Sequence, residues 1–352
     1  MSHTATILHF RGWRFSLTRK FMENNRTAIT LVTGGTGLIG YNIISALLKR
    51  NRKVRALVRS VEKGKKLLPS SVELAQGDIT DKASIATAMS GCDIVYHAAG
   101  YPEQWIKDPV VFEEVNVKGT QNMIEVALSQ KTEKFIYTST IDVFKGEKGK
   151  TFDESVIDEK PKGTAYERSK QKAFRLVLEA IKKGLPAINI HPAGLYGPGP
   201  TDSPGINIFI VDLKKGKVPM LLPGGLPLVY SEDIGEGHVL AEEKGEIGES
   251  YIFSEGYYEL SFLAKEILIA LKKNKKSPAV MPLPVVKVVS GVGEWIAKFS
   301  GKPPLIPKGQ LHFLLSGATP DSSKAEKELG WHSTPIEKGI SKTIDYLLNR
   351  LD

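Results

Sequence analysis

Arginine disappears from the second half of this 352-residue chain: none occurs between positions 176 and 349, and Arg350 is the last. Arginine forks are the usual grip on a diphosphate, so this half is poorly equipped to hold one, although lysines can serve as point charges. Cysteine is reduced to a single residue, Cys92, which rules out an internal disulfide and fits a reducing, cytoplasmic setting. The seven histidines include no H-x-x-x-H spacing and there is no C-x-x-C, so no metal site is expected. No apolar run approaches the ~18 residues of a membrane-crossing helix. The chain is basic, with 48 Lys+Arg against 39 Asp+Glu. Its lysines are spread along helical stretches and no nucleic-acid motif accompanies them. A solvated basic surface is therefore expected, and nucleic acid is not an expected partner.

What remains is a globular composition, 41% hydrophobic and 25% charged, long enough for two domains or one large α/β unit with an appendage. Residues 1–27 carry Arg11, Arg14, Arg19, Lys20 and Arg26 against Glu23. They are read as a non-core extension, with Met22 as a candidate start and a basic transit segment as the alternative. From Ala28 the pattern changes: a buried strand to Val32, a Gly-rich turn, an amphipathic run Ile43–Lys49, then a second strand Val54–Val58. Short apolar runs recur at Glu73–Leu74, Ile94–His97, Phe135–Thr138 and Ala187–Ile190. Helical segments around Asp81–Met89, Val110–Ala127 and Tyr166–Lys182 separate them. Alternating strands and helices imply an α/β, Rossmann-type doubly wound parallel sheet over residues 28–195. Beyond it, Pro and Gly cluster at Gly197–Gly205 and Pro219–Pro227. Residues 196–352 read as a smaller, mostly helical substrate region, with the chain free to cross back to the sheet.

Three local patterns carry chemistry. Gly34-Gly35-Thr36-Gly37-Leu38-Ile39-Gly40, spaced G-x-x-G-x-x-G between strand and helix, lets backbone N–H groups approach a pyrophosphate at the helix N-terminus. The second strand ends at Arg59, where a NAD site would place an acid for the ribose 2′-OH. A guanidinium there suits a 2′-phosphate, so NADP is the expected cofactor, ahead of NAD. Gly77-Asp78-Ile79 follows the third strand, where Asp78 can accept from an adenine amino group. His97-Ala98-Ala99-Gly100 ends the fourth with small residues that let the chain pass close to a cofactor. His97 itself is read as facing the core. Finally, Tyr166 and Lys170, four apart on a helix, share one face. An ammonium beside a phenol favours the phenolate and brings its pKa toward working pH. The strand-end hydroxyls Thr138 and Thr140 precede them, and Thr140 can hold a substrate oxygen.

TGGTGLIG, GDIT, HAAG, NVKGT, YTST, YERSK and HPAGLYGPG occur here in the order seen in extended short-chain dehydrogenases/reductases, the NAD-dependent epimerase/dehydratase superfamily. Over about residues 28–350 the chain resembles that family, and is similar in look to its dihydroflavonol reductases, hydroxysteroid dehydrogenases and hopanoid-associated sugar epimerases. The resemblance implies Thr140, Tyr166 and Lys170 as the catalytic set, with Lys170 also holding the nicotinamide ribose. It implies Asn116 as the residue that steadies the strand beside the cofactor and Pro192 as the one under the nicotinamide. It also implies a homodimer through a helix pair. Two departures stand out. Thr140 replaces the commoner serine, and Phe144 stands where V-Y-G would supply a tyrosine.

These readings lead to an NADP-dependent reductase or dehydrogenase interconverting a carbonyl and an alcohol on a small, neutral or apolar molecule. The alternatives are a nucleotide-sugar epimerase or dehydratase with tightly bound NAD, and a non-catalytic NADP-sensing protein. Dehydratases of this type carry an acid pair after the strand-end hydroxyl, whereas here Ile141-Asp142 supplies one acid, offset. The apolar stretch Met281–Pro307 is read as an ordinary packed helix, with a lid over the substrate or a helix in peripheral contact with membrane as the other readings.

Overall fold

Apolar runs of four to six residues are too short for helices and become strands when both their faces are covered. In the computed structural model, which describes residues 29–102, 105–200, 205–273 and 276–351, seven such runs form one sheet. They are β1 (Ile29–Thr33), β2 (Lys53–Val58), β3 (Glu73–Gln76), β4 (Cys92–His97), β5 (Lys134–Thr138), β6 (Ala187–Pro192) and β7 (Ser250–Phe253). Every pairing is parallel and the order is β3-β2-β1-β4-β5-β6-β7. Helices α1 (Leu38–Lys49), α2 (Val61–Leu67), α3 (Lys82–Met89), α4 (Gly119–Gln130) and α5 (Ala165–Lys182) make crossovers. The winding reverses between β1 and β4, so the crevice of a doubly wound sheet opens above those two strand ends. The reading of residues 1–27 lies outside the described residues.

The first turn shows why the motif needs glycine. Gly34 sits at φ +72°, and a Cβ there would lie 2.8 Å from the backbone of Ala98 and Ala99, across the reversal point. A Cβ on Gly40 would come within 2.3 Å of the Gly34 carbonyl oxygen. Gly40→Val is therefore expected to destabilise the fold by roughly 1–3 kcal/mol, as overpacking does, and to abolish dinucleotide binding. Thermal unfolding and dinucleotide titration check this; an unchanged melting temperature would show that the turn can open without cost.

The remaining helices are α6 (Ile206–Lys215), α7 (Ser231–Lys244), α8 (Leu260–Ala270), α9 (Leu283–Ser300), α10 (Lys308–Ser316) and α11 (Ile336–Leu351). A second core forms where α6, α8 and α11 cover a three-stranded sheet made of Gly194–Tyr196, Gly225–Tyr230 and Gly256–Glu259. In α11 the spacing Ile336, Ile340, Ile344 puts one apolar stripe into that core. The region after residue 195 is mostly helical, as expected, with a small sheet added. Helix α7 and strand β7 return to the main layer, α7 packing on α1 and β7 pairing with β6. The segment SYIF of β7 lies where the alternation of strands and helices stops, and Pro227 within Gly225–Tyr230 argues against a strand when read alone.

Candidate active site

Helix α1 starts directly behind the glycine turn, and its N-cap, Gly37, offers no side-chain cap. The first-turn amides of Leu38, Ile39 and Gly40 are thus left for an anion, at the positive end of the helix dipole. Thr36 lies half-buried in the same turn. On one side of this turn Arg59 follows the end of β2; it is exposed and forms no ion pair among the described residues. Arg55, four residues earlier and within β2, is already committed: its Nε donates to Glu73 at 2.7 Å and its Nη1 to the carbonyls of Ala88 and Ser90. Asp78 uses one carboxylate oxygen to accept from the Thr80 amide and hydroxyl, and Ile79 is buried against Gly119. On the other side Ala98, Ala99 and Gly100 leave β4, with the Ala99 amide donating to Thr33 Oγ1 at 3.1 Å. A glycine cradle that any Cβ would fill, open helix amides and an unpaired arginine at the ribose end fit a dinucleotide phosphate.

The helix before α4 widens into a π turn at Glu113–Lys118, which carries Asn116. Asn116 Nδ2 donates to the Tyr101 carbonyl and to Ser169 Oγ at 2.9 Å, while its Oδ1 accepts from the Tyr101 amide. It ties the chain leaving β4 to α5, the helix that bears Tyr166. Helix α5 begins with a full capping box, Thr164 and Glu167 each holding the other's backbone amide. That fixes the first turn, and with it Tyr166, whose ring meets Phe112 edge-on at 6.1 Å. One turn later Lys170 is buried, and its Nζ donates to the Thr138 carbonyl at 2.9 Å. Burial pulls the ammonium down to about 8, with the Asp142 charge opposing. It therefore stays mostly protonated at neutral pH.

Tyr166, Lys170, Thr138, Thr140, Ile39, Ala98, Ala99, Gly100 and Pro192 line one cleft of about 590 Å³. The other sequence-derived residues, Gly34, Thr36, Gly37, Leu38, Gly40, Arg59, Asp78, Ile79 and Asn116, do not line it. They occupy the turns along the same sheet edge and the helix behind it. His97 is outside the cleft, buried between Thr33 and Thr120, with its ring pulled down to about 3 by burial. His238 is likewise neutral: its Nδ1 donates to the Ile234 carbonyl, so its Nε2 accepts from Thr138 Oγ1 at 2.9 Å.

The sequence reading missed an acidic network in the cleft wall. Thr140 Oγ1 donates to Asp142 Oδ2 at 2.6 Å. Burial pushes the Asp142 carboxyl up to about 6, against the pull of that hydrogen bond. Nearby, burial also pushes Glu167 upward, but bonds from His312 at 3.3 Å and the Thr164 amide outweigh it and hold the carboxyl below the usual range. The sequence shows Asp142 only as an offset acid, not as a partner of Thr140; His312, 145 positions after Glu167, left no local signal.

Because the folded state binds the Asp142 proton more tightly than the unfolded chain, this group favours folding as pH falls through 6. Above 6 it sits as a buried charge, at a cost to stability. Asp142→Asn is expected to raise the melting temperature by roughly 2–4 °C at pH 8 and by little at about pH 4, near the ordinary carboxylate value. Equal shifts at both pH values, measured by calorimetry, would contradict that ionisation.

The model of the NAD dependent epimerase/dehydratase family matches residues 30–253. This chain belongs to that family. Among its relatives, a putative dihydroflavonol 4-reductase of Synechocystis sp. is 29% identical over 90% of this chain and 94% of its own length. Sterol demethylase protein B of Methylococcus capsulatus is 27% identical over 91% and 98%. Among solved structures, that of gox2253 superposes with a TM-score of 0.80 at 31% identity, covering 92% of this chain and 98% of that one. A Thermus thermophilus UDP-glucose 4-epimerase in complex with NAD superposes at 0.72 over 91% and 99%, but at 24% identity that likeness shows the fold alone. The chain is an NAD(P)-dependent oxidoreductase of the extended short-chain dehydrogenase/reductase type, and the non-catalytic alternative falls away.

Proposed function

We propose that this enzyme is an NADP-dependent reductase that interconverts a carbonyl and an alcohol on a small, neutral and largely apolar molecule. The observation that carries the substrate class is the cleft wall beyond Tyr166. Leu195, Ile206, Leu226, Pro227 and Phe313 line it together with polar groups such as Lys162 and His312, and no arginine lines the cleft among the described residues. A nucleoside diphosphate would find there no fork of donors for its phosphates. The relatives named as reductases and dehydrogenases over nearly full length support the same reading.

In reduction, the Tyr166 phenol gives its proton to the carbonyl oxygen, and in oxidation it takes that proton back. Lys170, one helical turn away, lowers the cost of the phenolate left behind and would hold a ribose hydroxyl. Thr140 Oγ1 holds the substrate oxygen. Its own proton points to Asp142 while that carboxylate is ionised; once protonated, Asp142 donates to Thr140 and frees the Thr140 proton for the substrate. The glycine turn and the α1 amides would hold the pyrophosphate, Arg59 the 2′-phosphate, Asp78 the adenine and Pro192 the underside of the nicotinamide. The chemistry the dinucleotide supplies when bound is a hydride given to, or taken from, the carbon of the same C–O bond. Cys92, buried and with its thiol pushed up to about 11, stays protonated, which suits the proposed cytoplasmic setting.

The test is a substrate panel with purified enzyme. Consumption of NADPH with apolar ketones, and no conversion of UDP-sugars, is the expected result. Conversion of a UDP-sugar without added cofactor would overturn the proposal.

A further inference from the structure

Helix α9 holds to the protein by one narrow strip. Its buried residues are Val286, Ser290 and Ala297, which at 100° per residue lie within about 40° of one another. A different side of the same helix is apolar and uncovered. Val285, Val288, Val292, Trp295, Ile296 and Phe299 fall within an arc of about 100°, and each is between 48% and 75% exposed. Leu305, just past the helix, is 87% exposed and extends the patch. Such a stripe on a folded surface marks something it is built to meet. The reading of Met281–Pro307 as an ordinary packed helix therefore fails: the helix is packed on one side and bare on another.

The charges around this face indicate what covers it. From Lys272 to Lys308 the sequence has eight lysines and one acid, Glu294. Glu294 Oε1 accepts from the Lys308 amide at 2.9 Å. Lys287 and Lys298 are exposed on the helix flank next to the apolar arc, and Lys302 is exposed just beyond the helix. Among the described residues no helix is long and apolar enough to cross a membrane. An apolar arc with a tryptophan, fringed by lysines, on a helix that cannot span is the pattern of one lying in the plane of a bilayer surface. A second copy of the chain fits less well, since a two-fold contact would press two lysine-fringed faces together.

We propose that the exposed face of α9, with Leu305, docks this enzyme onto anionic phospholipid membranes, its apolar side chains entering the interfacial layer and its lysines meeting the headgroups. The docked face sits close to the chemistry. Val286 and Val289 pack with Leu311 and Leu315 of α10, and α10 also supplies His312, Phe313 and Ser316 to the cleft wall. Docking does not depend on the proposed substrate and is tested without it.

The experiment is co-sedimentation of the full chain with vesicles of phosphatidylcholine, alone or with about 30 mol% phosphatidylglycerol, alongside measurement of its mass in solution. Binding to the anionic vesicles at least tenfold above the neutral ones, weakened by salt, is the expected result. Trp295→Glu with Phe299→Glu is expected to lose that binding tenfold or more. Melting temperature and turnover in solution should not change, since both side chains lie outside the core and the cleft. Lys287→Glu with Lys298→Glu should lose the preference for anionic lipid while keeping the fold. Failure of the wild type to bind anionic vesicles would overturn the proposal. So would a wild-type dimer that ignores vesicles and dissociates in the Trp295/Phe299 variant, which would assign the face to a second copy.

Discussion

Replacing Tyr166 by phenylalanine is expected to lower turnover by roughly 10²–10⁴-fold, the usual contribution of a positioned acid/base. The fold and dinucleotide binding should survive. The ring lies half-buried at the start of α5, packed edge-on against Phe112, and phenylalanine keeps that packing. The capping box that fixes this turn is made by Thr164 and Glu167 and is untouched. What disappears is the Tyr166 phenolic proton, in the cleft that Lys170 and Thr140 also line. Turnover, melting temperature and NADPH titration, measured together, check the expectation. Retention of more than a tenth of wild-type turnover would mean that another group, with Asp142 the first to examine, moves the proton.

The second large effect is expected at Arg59. A charge-assisted contact to a 2′-phosphate contributes on the order of 1.5–3 kcal/mol, so wild type should prefer NADP over NAD by roughly tenfold to a hundredfold. The structure leaves the side chain available: it is exposed at the end of β2 and unpaired among the described residues, whereas Arg55 is tied to Glu73 and two carbonyls. Arg55 therefore belongs to the packing of β2 against β3 and the end of α3. Arg59→Asp should invert the preference, since it removes the phosphate partner and offers an acceptor to a free 2′-OH. Calorimetric titration of both dinucleotides into both proteins decides it. Equal affinity of wild type for NAD and NADP would reduce Arg59 to a surface residue.

Features carried by one element were legible in the sequence. The glycine spacing is local because a single turn must meet the backbone of Ala98, and the Tyr166/Lys170 pair is local because a helix repeats every turn. Apolar runs alternating with helices exposed six of the seven main-sheet strands, but β7 lies in the Pro- and Gly-rich second half, where that alternation stops. The acidic network was hidden for a different reason. Glu167 and His312 meet only because α10 packs over the cleft, a contact between distant segments with no signature in either. The bare face of α9 was equally unreadable. Its sequence is apolar on two sides, and composition does not say which side the fold will cover.

The central claim is net hydride transfer between a dissociable dinucleotide and a carbonyl carbon. The most direct measurement is turnover of an apolar ketone with NADPH deuterated at the transferable position of the nicotinamide, followed by mass spectrometry of the alcohol. The result expected is one deuterium on the carbinol carbon, with one NADPH consumed per alcohol formed. Alcohol formed without deuterium, or a UDP-sugar inverted with no net consumption of cofactor, would contradict the account.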